Sequence, residues 1–356
     1  MKIFPAYTFD DVLLVPKLSI GSRSKIDLST KLSSSLILNL PILSANMDTV
    51  TTADMAIAMG LKGGLGILHR FTHIAQQVEE VKRVKEYGCI VGAAVGVRMC
   101  DGEIERALRL IAAGCDLIVI DVAHGHSLAV ADMVKRIKIN HPYQDVCAGN
   151  VATNEGAVFL AKAGADIIKV GIGPGAVCTT RKVTGFGVPQ LTAIEMVKDA
   201  LVRNKFPDVK IIADGGIRST GDIVKALAVG ADAVMLGRWL AGCDEAPGEI
   251  IEQNGKKLKV YRGMASKEAI LERADDSAEN QLQWRKVIPE GISAVVPYQG
   301  SVVNLLSQIE GELRSALSYG GALNIKALQQ DPVFLEVTSQ GFQENNFHDV
   351  SVLEKA

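Results

Sequence analysis

The sequence predicts an α/β chain folded as a (β/α)8 barrel with a polar excursion near its C-terminal end. Short, apolar, β-branched runs alternate with helical patterns eight times between Leu38 and Gly242. Three helix-to-strand junctions repeat one pattern: Ala113-Gly114-Cys115-Asp116, Ala163-Gly164-Ala165-Asp166 and Val229-Gly230-Ala231-Asp232. The composition suits close-packed βα units, with 34 glycines, 48% hydrophobic residues and only 5% aromatics. Eight such units match a barrel typically about 250 residues long. A doubly wound open sheet is the alternative arrangement of the same alternation.

In chain order, Leu38–Ser44 reads as the first strand and Thr52–Leu61 as its helix. Gly64–His69 is the second strand. Ile74–Lys85 follows as a helix with Val78, Val81 and Val84 on one face and charges on the other. Six further strands begin at Ile90, Leu117, Val146, Ile167, Ile211 and Ala233. They are continuous apolar runs, as buried parallel strands are. At the repeated junctions the glycine suits a left-handed helix cap and the aspartate leads into the next strand. From Cys243 to Gly300 the chain turns polar, with strands at Lys256–Tyr261 and Ile292–Tyr298 around the highly charged stretch Lys267–Lys286. An excursion of that length over a barrel mouth reads as a lid or flap. Ser301–Tyr319 returns to an amphipathic helix. The chain thus reads as one barrel domain over residues 1–356, with its flap at about 243–300.

Charge excludes some functions. Lys plus Arg total 38 and Asp plus Glu 40, a formal net charge of −2, so no nucleic-acid partner is expected. No apolar run approaches the ~20 residues of a membrane helix. Met1-Lys2-Ile3-Phe4-Pro5 carries no apolar signal core, so a cytoplasmic location with reduced thiols is expected. The six cysteines form no CxxC pair, which argues against zinc.

Barrel chemistry lies at the carboxyl ends of the strands. Those ends carry polar groups and glycines: Ser44-Ala45-Asn46-Met47-Asp48, Asp121-Val122-Ala123-His124-Gly125-His126, Ala148-Gly149-Asn150, Asp214-Gly215-Gly216 and Gly237-Arg238. The densest segment is Gly171-Ile172-Gly173-Pro174-Gly175-Ala176-Val177-Cys178-Thr179-Thr180-Arg181. Its glycines expose backbone that can present amides to an anion or carbonyls to a cation. Cys178, beside Arg181 on this loop, is placed as a nucleophile. Cys115 and Cys147, inside apolar runs, read instead as buried small hydrophobes. Gly215-Gly216 and Gly237-Arg238 follow strands seven and eight, where barrels often bind phosphate, and Asp214 is suited to ribose hydroxyls. His124 and His126 lack a third metal ligand nearby, which leaves them loop-forming or cofactor-contacting. Glu290, where the flap rejoins the body, reads as an acid or base; taken alone it would be surface charge.

Together these segments resemble the IMP dehydrogenase and GMP reductase family. The resemblance rests on Phe9–Leu14, Asn46–Val50, the Gly171–Arg181 loop, Pro189-Gln190, Ala213–Gly216, Tyr261–Met264 and Pro289–Gly291, and it covers nearly the whole chain. It implies that Cys178 attacks carbon 2 of a purine nucleotide while Thr180 and Glu290 move protons. It implies substrate contacts from Met47, Asp214, Gly215, Gly216, Gly237, Arg238, Gly263, Met264 and Gly291. Cofactor contacts would come from Ser22, Arg23, Arg70, Asp121, Val122, Ala123 and Ser315. A monovalent cation, expected to be potassium, would be held by Gly173, Gly175, Cys178 and Arg181, in a homotetramer.

Three features favour the reductase, taking GMP and NADPH to IMP and ammonia. Lys85-Glu86-Tyr87-Gly88 joins the second helix to the third strand with no inserted regulatory module. No Arg-Tyr pair, which activates water in the dehydrogenase flap, occurs between Lys267 and Lys286; Gln283-Trp284-Arg285 is the nearest. Ser44–Met47, His69-Arg70-Phe71 and Thr184–Gly187 also look like reductase variants. The alternative is a dehydrogenase lacking the module, which takes IMP, NAD and water to XMP; Gly92–Gly96, Asp214–Leu227 and Glu290–Gly300 look like that enzyme. A non-catalytic nucleotide-binding barrel is a third reading, but it gives Cys178 no purpose. Two positions depart from the family: Ala176 stands where serine is usual, and Arg238 where serine or glycine is.

Overall fold

Eight parallel strands close into a barrel in chain order: β1 (Ile42–Ser44), β2 (Leu65–Leu68), β3 (Val91–Val95), β4 (Leu117–Asp121), β5 (Asp145–Val151), β6 (Ile167–Val170), β7 (Lys210–Asp214) and β8 (Ala233–Leu236). Closure is made by β8 on β1, with Val234 opposite Ile42 and Leu236 opposite Ser44. This computed structural model describes residues 1–19, 21–97, 100–272 and 288–345. The barrel, rather than an open sheet, is therefore the fold, and each strand lies within a few residues of its predicted position. Helices α1 (Ala53–Leu61), α2 (Ile74–Glu86), α3 (Cys100–Ala112), α4 (Leu128–Asn140), α5 (Asn154–Ala163), α6 (Gln190–Arg203), α7 (Thr220–Val229) and α8 (Val302–Tyr319) surround it. Residues 87–90 link α2 directly to β3.

The repeated glycine–aspartate junction has a physical cause. Gly114, Gly164 and Gly230 all adopt positive φ, which ends each helix without a Cβ penalty. Two residues on, each aspartate accepts the first amides of the neighbouring strand: Asp116 from Val91, Asp166 from Val146 and Asp232 from Ile211, each at 2.8 Å. The motif clamps the amino ends of adjacent strands together.

Strand alternation divides the core in two. Ile168 and Val170 of β6 face the helices, whereas Ile167 packs inside the barrel with Val119, Cys147 and Ile212. A short hairpin, Thr30–Lys31 paired with Ile37–Leu38, drives Leu32, Leu36 and Leu38 into that interior. Ser35 at its tip donates to Asp145 at the start of β5, at 2.8 Å. The amino end of the barrel is thereby plugged, and the carboxyl end is left for chemistry.

The excursion is a three-stranded antiparallel sheet of β9 (Ile250–Gln253), β10 (Lys256–Arg262) and β11 (Ser293–Pro297). β9 was not predicted, because its residues are all exposed and bury no face. The signal present was Asn254-Gly255, both at positive φ, the pair that two-residue hairpin turns demand. Two charged contacts fix the sheet to the barrel. Lys259, 2% exposed, donates to the carbonyls of Cys243 and Ala246 at 2.8 and 2.6 Å. Arg262 pairs with Asp48 at 2.6 Å, tying β10 to the loop after β1. Residues 273–287, which include Arg273, Gln283, Trp284 and Arg285, lie outside the described residues.

Candidate active site

A cavity of about 540 Å3 opens at the carboxyl ends of the strands, within the size range of nucleotide sites. Its floor is polar. Lys169, on β6, donates to Asp121 at 2.7 Å and Asp214 at 2.6 Å, and also to Asn150. Asn46 donates to Asp121, and Asn150 to Asp214, both at 2.9 Å. Burial pushes the Asp121 carboxyl up, but the Lys169 ammonium and its hydrogen bond outweigh that and hold it below the usual range. Burial pushes Lys169 down, yet the two carboxylates raise it above the ordinary lysine value, so it stays charged.

The cysteine loop leaves β6 through Gly171, whose φ is 150°. A Cβ there would lie 2.0 Å from the Asp214 carbonyl, so only glycine permits the exit. The loop then pairs with the returning flap. Thr179 donates its amide to the Glu290 carbonyl at 2.9 Å, and Ile292 donates to Val177 at 3.0 Å. That pairing brings together two residues far apart in sequence. Thr180 Oγ1 donates to Glu290 Oε2 at 2.7 Å, and Cys178 Sγ to Thr180 Oγ1 at 3.2 Å. A thiol, a hydroxyl and a carboxylate thus form a continuous proton path at the cavity wall. The other described cysteine side chains are buried, and burial pushes the Cys115 and Cys147 thiols up to about 12. They are the small hydrophobes the sequence predicted.

The cavity gathers most of the predicted residues. Met47, Asp214, Gly215, Gly216, Gly237, Arg238, Gly263 and Met264 line it beside Cys178, Thr180 and Glu290. So do Arg70, Asp121, Val122 and Ala123, with Gly173 and Gly175 of the loop. Gly291 sits just behind, bridged to Cys178. Arg238 is half-buried and has no protein partner among the described residues. Tyr261, part of a family motif but given no role from the sequence, is buried at the cavity with its hydroxyl 3.7 Å from Met47 Sδ.

Four predicted residues lie elsewhere. Ser22 and Arg23 are exposed on a short helical turn that packs against α8, where Arg314 bonds the Ile26 carbonyl. Ser315 is on that same helix. None of the three lines this chain's cavity, because the turn and α8 belong to the outer layer. Arg181 points away: its guanidinium donates to the Val188 carbonyl at 2.6 Å and passes between Gly173 and Gly187. It staples the loop, and the Arg181 carbonyl, which already accepts the Gly185 amide at 3.1 Å, is the only part of the residue that could meet a cation. His126 packs its ring on Phe159 at 5.0 Å, a structural contact. Among the described residues no group of three His, Cys, Asp or Glu side chains is placed to hold a metal ion. No described helix is long and apolar enough to cross a membrane.

The IMP dehydrogenase / GMP reductase domain family matches residues 6–348. The chain belongs to this family. An inosine-5'-monophosphate dehydrogenase of Aquifex aeolicus is 38% identical, over 100% of this chain and 98% of its own length. Dehydrogenases of the same name from Borreliella burgdorferi and Cryptosporidium parvum are 40% and 41% identical, over 97% and 98% of this chain and 97% and 96% of their own lengths. These relatives correct the expected reaction: they are named dehydrogenase, so reduction of GMP with NADPH is not the reading they support. The missing module misled that expectation. The Aquifex alignment runs over 483 residues, but the Borreliella and Cryptosporidium alignments over only 398 and 392, so short and long relatives share the dehydrogenase name.

Proposed function

We propose that this chain is an NAD-dependent IMP dehydrogenase that converts IMP and water to XMP through a covalent adduct on Cys178. The observation that carries the reading is the Cys178–Thr180–Glu290 path at the mouth of a dehydrogenase-like barrel. The Cys178 thiol passes its proton through Thr180 to Glu290 and on to solvent, its sulfur adds to carbon 2 of the hypoxanthine, and loss of the carbon-2 hydrogen with its electron pair leaves a thioimidate. The nicotinamide, when bound, supplies the acceptor for that pair. Water then adds to carbon 2, its proton passes through the Thr180 hydroxyl to Glu290, and the carbon–sulfur bond breaks to release XMP and the thiolate.

Arg238 with Gly215, Gly216 and Gly237 would take the phosphate, and Asp214 the ribose hydroxyls. Met47, Gly263, Met264 and Gly291 would enclose the base. Arg70, Asp121, Val122 and Ala123 face the side where the dinucleotide would lie. A monovalent cation fits the cysteine loop: the carbonyls of Gly173 and Cys178 accept no hydrogen bond among the described residues. With Gly175 and Arg181 they would hold it by oxygen alone, and potassium is the family's usual choice. It would supply charge that orders the loop around Cys178. A homotetramer is the assembly the family resemblance supports. The test is product analysis with purified enzyme: IMP plus NAD should give XMP, and GMP plus NADPH should give no IMP.

A further inference from the structure

The proposed chemistry leaves Lys169 without a part. It interrupts the apolar run Ile167–Val170 inside the barrel, with its side chain 2% exposed. Burying an ammonium costs several kcal/mol unless its protons are matched, and replacing a whole buried ion cluster by apolar groups is often neutral or stabilising. Stability alone therefore does not account for it. All three of its donors are used, on Asp121, Asp214 and Asn150. The two aspartates are 21% and 23% exposed and both line the cavity, so the same nitrogen joins acids that serve two ligands. Asp214 Oδ1 has no partner among the described residues. The other charged or titratable groups that face the cluster are Arg70 after β2, Cys147 on β5 and Tyr261 on β10. Burial raises the thiol and the phenol, so both are neutral near pH 7, and Arg70 helps to lower Asp121.

We propose that Lys169 is a positioning residue that ties the sugar-facing Asp214 to the cofactor-facing Asp121 as one unit, coupling the two halves of the site. This deepens the reading above and rests on it. Without the ammonium, two carboxylates that met one nitrogen face each other, and such like-charged neighbours push one of the pair to take a proton. A protonated Asp214 is a poorer acceptor for ribose hydroxyls.

The experiment is calorimetric binding of IMP and of 2′,3′-dideoxy-IMP between pH 6 and 9. Wild type should prefer IMP on the order of 10- to 100-fold throughout, the worth of hydrogen bonds to a charged group. Lys169→Met should lose most of that preference at low pH and regain it as pH rises. Lys169→Arg should keep it, and Lys169→Met/Asp121→Asn, which removes the repulsion, should restore it at every pH. That double variant also serves if the single one does not fold. A folded Lys169→Met that discriminates like wild type at every pH overturns this inference alone, as does a double variant without rescue. A wild type that binds no IMP overturns the proposed function and this inference with it.

Discussion

Arg238 is where this chain's own substrate site is most exposed to test. Arg238 stands just past the end of β8, half-buried, lines the same cavity as the glycines that follow β7, and has no protein partner among the described residues. Ala176, exposed on the cysteine loop, supplies no hydroxyl in compensation. Removing Arg238 therefore breaks no intramolecular bond, and the effect should appear in ligand binding. A charge-assisted hydrogen bond is worth about 1.5–3 kcal/mol, so Arg238→Ala should weaken IMP roughly 10- to 150-fold. The loss should shrink at high salt, since the site is open to solvent. Calorimetry with IMP and with inosine separates the causes: inosine, lacking phosphate, should bind the variant and wild type alike. Equal losses for both ligands would refute the phosphate role and make Arg238 a structural residue.

Cys178→Ala should abolish turnover while calorimetry still detects IMP binding, because the cysteine supplies the bond and not the pocket. Glu290→Gln should keep the first burst of NADH but slow XMP release by about 10²- to 10⁴-fold, the usual worth of a proton-transfer group; rapid quench separates the two steps. Glu80 tests the scaffold: burial, opposed by Arg83, raises its carboxyl to about 7, and one oxygen has no partner. Its folded value lies above the unfolded one, so stability falls as pH rises from about 4.5 to 7. Glu80→Gln should accordingly raise Tm at pH 8 and leave it unchanged at pH 4, by thermal melts.

The barrel was legible because buried parallel strands and glycine–aspartate junctions are local signals. The cysteine, the cavity-lining glycines after β7 and β8 and the flap motifs were legible too, being dense runs of residues a scaffold does not need. Lys169 was not, since one lysine in an apolar strand reads as a boundary until Asp121 and Asp214 are seen to converge on it from other strands. Asn46 and Asn150 were visible as polar strand ends, but their pairing with Asp121 and Asp214 was not. Ser22, Arg23 and Ser315 show the converse: residues carried by resemblance into a site that one chain's topology does not bring them to. Reaction direction was read from two absences, a module and an Arg-Tyr pair, and from reductase-like variants at Ser44–Met47, His69-Arg70-Phe71 and Thr184–Gly187, and none of these identifies the group that moves a proton. The Thr180–Glu290 pair, at 2.7 Å, offers a proton path that serves either direction, and it is the names of the relatives that favour the dehydrogenase.

The most direct test of the account follows NADH and XMP together when enzyme is given IMP and NAD in excess. The account predicts sustained formation of both in equal amounts over many turnovers, with the Thr180–Glu290 pair taking the proton from water. A single burst of NADH that stops with the adduct intact, beside steady conversion of GMP and NADPH to IMP, would contradict it.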